Sequence, residues 1–246
     1  IINCPGLVEL PCWPNVVDVF CDDCPDLVRL PCWPNVTIVD CRECPGLTTL
    51  PNWPSVKHVI FFNCPSLVEL QNWPNVEEVD CTGCTRLTLL PNWQNVTSVN
   101  CQSCTGLVEL PNWPCIEIIT CQGCTGLVLL PDWPNVIFVD CSGCPNLVSL
   151  PNWPNIKQVW CENCSGLVTL PCWPNVIEVN CWKCPGLVSL PCWPNVTKVV
   201  ICNCRGLLSL SNWQNVKEAY CKDCPRLLFI PNWSQHVKIE CKNCPN

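Results

Sequence analysis

Cysteine is the residue in this chain with the most chemistry to offer, and there are 29 of them in 246 residues. A thiol can act as a nucleophile, join a disulfide or bind a soft metal, so spacing must choose between these roles. Thirteen cysteines fall at every twentieth position from Cys4 to Cys244. Ten more lie three residues earlier: Cys21, Cys41, Cys81, Cys101, Cys121, Cys141, Cys161, Cys181, Cys221 and Cys241. Each of the ten completes a C-x-x-C, and adjacent copies satisfy the C-x2-C-x16-C-x2-C spacing of a zinc site. Any 20-residue repeat of C-x-x-C produces that spacing automatically. Three copies carry Ile1, Phe61 or Ile201 at the earlier position, yet Cys4, Cys64 and Cys204 remain. A disulfide or metal pair is expected to lose both members together, whereas an apolar slot accepts Ile, Phe or Cys alike. The pattern therefore favours structural, reduced thiols, with the later S–H set against backbone groups at a tight turn. Disulfides and bound metal remain as alternatives, kept open by the unbroken C-x-x-C run from Cys81 to Cys184. If bridges exist, Cys12–Cys32 and Cys172–Cys192 are the expected pairs, because they share a phase in adjacent repeats.

Other catalytic constellations are sparse. His58 and His236 are the two histidines, nine repeats apart, and neither has a nucleophile and an acid placed as a triad. Glu77 and Glu78 are chain neighbours, which point in opposite directions on a strand. No glycine loop is built to cradle phosphate. The expectation is a non-enzyme with no catalytic residue, no metal and no cofactor.

The elements that position these residues follow from the period. Leu7 to Leu227 and Trp13 to Trp233 form unbroken columns of twelve, and Val16 to Val216 is interrupted only by Ile116 and Ile156. One repeat reads V-x-x-V-x-C-x-x-C-x-x-L-x-x-L-P-x-W-P-N. Its V-x-C part alternates with period two, which specifies a short strand. Prolines such as Pro91 and Pro111, with a second proline commonly after the tryptophan, exclude a helix on the return side. The return is expected to be extended or polyproline-like, with Asn75 and its equivalents turning the chain into the next strand. The twelve indoles could offer a stacking platform for bases or sugars. Their place opposite the strand favours an internal ladder instead.

The pattern resembles the leucine-rich repeat, with Val, Val and Cys in its first three apolar slots and Cys84 in the slot held there by Asn or Cys. The L-P-x-W-P segment is similar to the L-P-x-L-P return of 20-residue bacterial effector repeats, and cysteine-rich repeats of this look also occur in giant viruses. The resemblance implies an all-β-like solenoid: a right-handed coil over residues 1–246, about twelve repeats, with parallel strands on a concave face and no helices. It is specific for fold and weak for function.

Composition bounds the partners. The net charge of −7 argues against nucleic acid. Seven of the thirteen basic residues lie from Lys198 onward, but they are interleaved with Glu218, Asp223 and Glu240. No run is long and apolar enough to be a membrane helix. Reduced thiols favour a reducing cytosol, that of a host cell included, over the extracellular space. The sequons at Asn35, Asn95, Asn163, Asn195 and Asn232 arise mainly where repeat columns meet a Thr or Ser. The chain opens at Ile1 inside a repeat, ends at Asn246 and has no Met. It is therefore expected to be an uncapped fragment of a longer chain.

Partner binding is expected on the outward strand columns, where six of the eight aromatics outside the tryptophan column fall: Phe20, Phe62, Phe138, Trp160, Trp182 and Tyr220. The leading contact surface runs through Ile118, Phe138, Trp160, Trp182, Val200 and Tyr220. A protein-interaction scaffold is the first functional reading. The second is a structural element whose open ends stack into a filament. The third is a thiol ladder that binds metal or forms disulfides.

Overall fold

In a computed structural model, which describes residues 1–233 and 237–244, the chain divides into two compact units, Ile1–Gly126 and Leu127–Asn246. The first unit holds β1 (Asp18–Asp22), β2 (Ile38–Arg42), β3 (His58–Ile60), β4 (Glu78–Asp80), β5 (Ser98–Asn100) and β6 (Ile118–Thr120). The second holds β7 (Phe138–Asp140), β8 (Gln158–Trp160), β9 (Glu178–Asn180), β10 (Lys198–Cys202), β11 (Glu218–Lys222) and β12 (Lys238–Lys242). Within each unit the strands pair in chain order, all parallel, and the register advances by one repeat: Val39 opposes Val59, and Val179 opposes Val199. No helix occurs among the described residues, and so none is long and apolar enough to cross a membrane.

The strands are short because the apolar pattern is short. In β2 the side chains of Val39 and Cys41 are buried while Ile38, Asp40 and Arg42 are not, the period-two alternation of a half-buried strand. After the second buried position the chain needs a left-handed residue. Asn63 (φ 53°), Asn163 (φ 55°) and Gly143 (φ 71°) supply it, and these types bear that conformation at least cost. The following cysteine opens a β-turn, closed for example by Leu47 N–H donating to the Cys44 carbonyl at 3.1 Å. Pro45 in that turn supplies the fixed φ that its second position prefers.

Seven columns point inward from each full turn. In one turn they are Val36, Val39, Cys41, Cys44, Leu47, Leu50 and Trp53, all buried. The indoles stack with ring centroids 5.5 to 6.3 Å apart. In the first unit the ladder runs from Trp13 to Trp113, and in the second from Trp133 to Trp233. Trp13 is the exposed member at 40%, stacked on Trp33 alone. Ten of the indoles also donate their N–H to a carbonyl of the preceding turn, as from Trp53 to Pro31 at 3.0 Å and from Trp173 to Pro151 at 2.9 Å. A platform for bases or sugars needs open ring faces. These faces are covered by one another.

Replacing Trp153 by Ala removes a fully buried ring and its N–H bond to Pro131 O, which keeps only the Trp133 backbone N–H. The expected loss is on the order of 3–5 kcal/mol in urea unfolding. A loss below about 1 kcal/mol would mean that the ring is not core.

Candidate functional site

The thiols divide into three environments. Twenty are buried, three (Cys4, Cys202, Cys244) are half-buried, and six (Cys12, Cys32, Cys115, Cys172, Cys192, Cys241) are exposed. Nine of the buried later cysteines donate S–H to a carbonyl 23 residues back. Examples are Cys104 to Cys81 O at 3.0 Å, Cys184 to Cys161 O at 2.8 Å and Cys204 to Cys181 O at 3.0 Å. This explains the uncoupled columns seen in the sequence. The acceptor is main chain, so Cys84 finds Phe61 O at 3.0 Å and Cys224 finds Ile201 O at 3.1 Å without an earlier cysteine there. Burial, above all, pushes the Cys84 thiol up to about 12. It is therefore a protonated donor at neutral pH and a poor nucleophile.

The two pairs singled out for bridges sit as neighbours in adjacent turns. Cys12 S–H donates to Cys32 O at 3.2 Å and Cys172 S–H to Cys192 O at 3.3 Å, with all four thiols free and exposed. Cys241, read as a core slot, is instead exposed along with the rest of β12.

The histidine does have an acid beside it. The register His58–Glu78–Ser98 lines a shallow hollow with Asp80 and Asn100, and His58 Nδ1 stands 3.2 Å from Glu78. The order is wrong for a triad, since the acid lies between the base and the hydroxyl. Ser98 is two strands from His58, roughly 10 Å at ordinary ladder spacing, so no proton passes directly between them. Glu77 is engaged separately, by Lys57 at 2.7 Å. His236 lies outside the described residues.

The aromatic strand face is the strongest remaining candidate. In the second unit, Phe138 on β7 meets Trp160 on β8 edge to face, centroids 5.2 Å apart. Trp160 and Trp182 are 37% and 38% exposed, while Val200 and Tyr220 on β10 and β11 are half-exposed. Lys183 lies 4.7 Å over the Trp182 ring, Lys238 lies 5.6 Å over Tyr220, and the Tyr220 hydroxyl donates to Glu218 at 3.1 Å. Ile118 belongs to the first unit, where it is 41% exposed on β6. Not every outward position is free to vary. Asp80 and Asp140 accept the N–H two residues on, Thr82 and Ser142, each at 2.9 Å, so an acid in that column caps the strand end.

Sequence reasoning missed a second exposed apolar face. The residue after the first repeat leucine is exposed at Val8, Val28, Val68 and Val108 in the first unit and at Val128, Val148, Val168 and Val188 in the second. The signal was present as a column, but its neighbour Leu is core, and position alone does not tell the two apart. Its backbone forms a sparse second ladder, such as Leu208 N–H to Val188 O at 2.8 Å.

No protein-family model matches the chain, and no characterised protein matches its sequence. Among solved structures it is similar to a leucine-rich repeat protein from Bacteroides ovatus ATCC 8483. The overlap covers 96% of this chain and 85% of that one, at 13% identity and a TM-score of 0.35. At that level the likeness says nothing of function, and the fold stands on the register and burial described above.

Two solution measurements follow from the thiol environments. Under native reducing conditions an alkylating reagent is expected to label the six exposed thiols first and the twenty buried ones only on unfolding; uniform labelling would contradict a sealed interior. Because burial raises thiols such as Cys84 when folded, their stabilisation is full below the unfolded value near 8.5 and is lost as pH climbs toward about 12. Circular dichroism across that range should report alkaline unfolding; a flat response would show that these thiols do not titrate in folding.

Proposed function

We propose that this 20-residue parallel coil, which fits a leucine-rich-repeat type of solenoid, is a non-enzymatic protein–protein interaction scaffold. It presents the outer face of its strands to a partner protein. The observation that carries the reading is the half-exposed aromatic group on the second unit: Phe138, Trp160 and Tyr220 on strands whose other face is packed, and Trp182 in the turn after β9. Aromatic side chains on a rigid support have little entropy left to lose, and Trp and Tyr are the types that dominate contact energies. Val200 adds apolar area, and Ile118 extends the same reading to the first unit. Lys183 and Lys238 edge the group, which suits a partner with apolar anchors and acidic side chains around them. The absence of a nucleophile–base–acid order around His58 supports a binding rather than a chemical role.

The test is a paired substitution. Trp160→Ser with Trp182→Ser should weaken a partner isolated with the wild-type chain by roughly 100-fold or more, measured by calorimetry, with the circular dichroism spectrum unchanged. Val148→Ser with Val168→Ser, on the other exposed face, should leave that affinity intact. Unchanged binding in the tryptophan variant, or loss in the valine variant alone, would place the contact elsewhere.

A further inference from the structure

We propose that Cys221, Cys224 and Cys244 form a binding site for a soft, thiophilic metal ion, of which Zn2+ is the reference case. The Sγ atoms of these three residues all lie within 4.8 Å of one another, and no other group of three or more such ligands among the described residues does so. The Cys221 and Cys244 sulfurs are 3.6 Å apart. A tetrahedral ion with metal–sulfur bonds of about 2.3 Å needs ligand sulfurs about 3.8 Å apart, so the pair is already at chelating distance.

The repeat explains why three sulfurs converge. Cys221 ends the inward alternation of β11, Cys224 follows its tight turn, and Cys244 is the equivalent of Cys224 one turn on. The offset of 23 residues that elsewhere sets a later thiol against a main-chain carbonyl also brings it past the earlier thiol of the preceding turn. At Cys204 and Cys184 the carbonyl contact is short, 3.0 and 2.8 Å. At Cys244 it is 3.4 Å toward Cys221 O, as it is from Cys64 to Cys41 O, and the Cys221 sulfur stands at nearly the same distance, 3.6 Å.

Access also distinguishes the group. Cys244 is half-buried and its neighbour Cys241 is exposed, whereas Cys161, Cys164, Cys181 and Cys184 carry the same spacing behind a closed surface. Cys241 completes C-x2-C-x16-C-x2-C with the other three and lies on the exposed side. The fourth position of the ion is thus open to Cys241 or to water. Each thiol that ligates gives its proton to solvent, so binding weakens as pH falls. The site is independent of the partner face: none of its residues belongs to that aromatic group.

The protein is reduced, stripped with a chelator and titrated anaerobically with Co2+, then with Zn2+. One Co2+ per chain is expected, with a thiolate-to-cobalt charge-transfer band that Zn2+ abolishes. Cys244→Ser, a change outside the sealed core, should remove the band and weaken Zn2+ binding by more than about 10-fold. Cys221→Ser should do the same, while Cys12→Ser with Cys32→Ser and Trp160→Ser with Trp182→Ser retain full binding. No stoichiometric band, or a band that survives Cys244→Ser, would each overturn the proposal.

Discussion

The structure depends on side-chain donors that reach the main-chain carbonyls of the preceding turn. The return segments are rich in proline, which has no N–H, so they cannot zip into a second full ladder. Some of their carbonyls accept a local N–H, as Pro171 O does from Trp173, but they lack a donor from the neighbouring turn. Three side chains per turn supply one. The indole N–H reaches back 22 residues, as from Trp193 to Pro171 O at 2.8 Å. The Asn amide reaches back 21, as from Asn175 to Pro154 O at 2.8 Å. The thiol reaches back 23, as from Cys104 to Cys81 O. For the indole and the later thiol the donor's type is fixed and the acceptor's is not, whereas Ser55 takes the Asn place and still donates to Pro34 O at 3.1 Å. Gln71 and Ser211 stand where proline usually does and still accept from Trp93 and Trp233.

That asymmetry is what lets the sequence be read. A column that must donate cannot drift, so Trp and the later Cys recur in every repeat, and their spacing discloses the turn length. The period-two burial of the strand and the inward indoles follow from the same columns. A position that only faces water, or only accepts through its backbone, leaves no such trace. For this reason the exposed valines at Val148 and Val168 looked like neighbours of the core Leu147 and Leu167. The role of Asp80 and Asp140 in closing a strand end was likewise hidden in a column that also holds Ile60 and Trp160.

The His58–Glu78–Ser98 row shows the other limit. Residues twenty apart are far apart along the chain but adjacent across a ladder, so every outward column is a line of cross-strand pairs. Some pair by charge, as Lys57 with Glu77 and Lys198 with Glu178, each at 2.7 Å. Such exposed pairs contribute little stability. They matter by occupying surface that would otherwise be open to a partner.

The choice of cysteine at the invariant turn follows from how little it asks of its surroundings. Asn in that slot would bring two N–H groups and an oxygen into a dry corner, each needing a partner. A thiol brings one weak donor on a body that packs like a small hydrophobe. Where sulfurs crowd together, as at Cys221, Cys224 and Cys244, the same economy reverses. A thiol with sulfur neighbours at ligating distance is better matched to a soft metal ion than to packing.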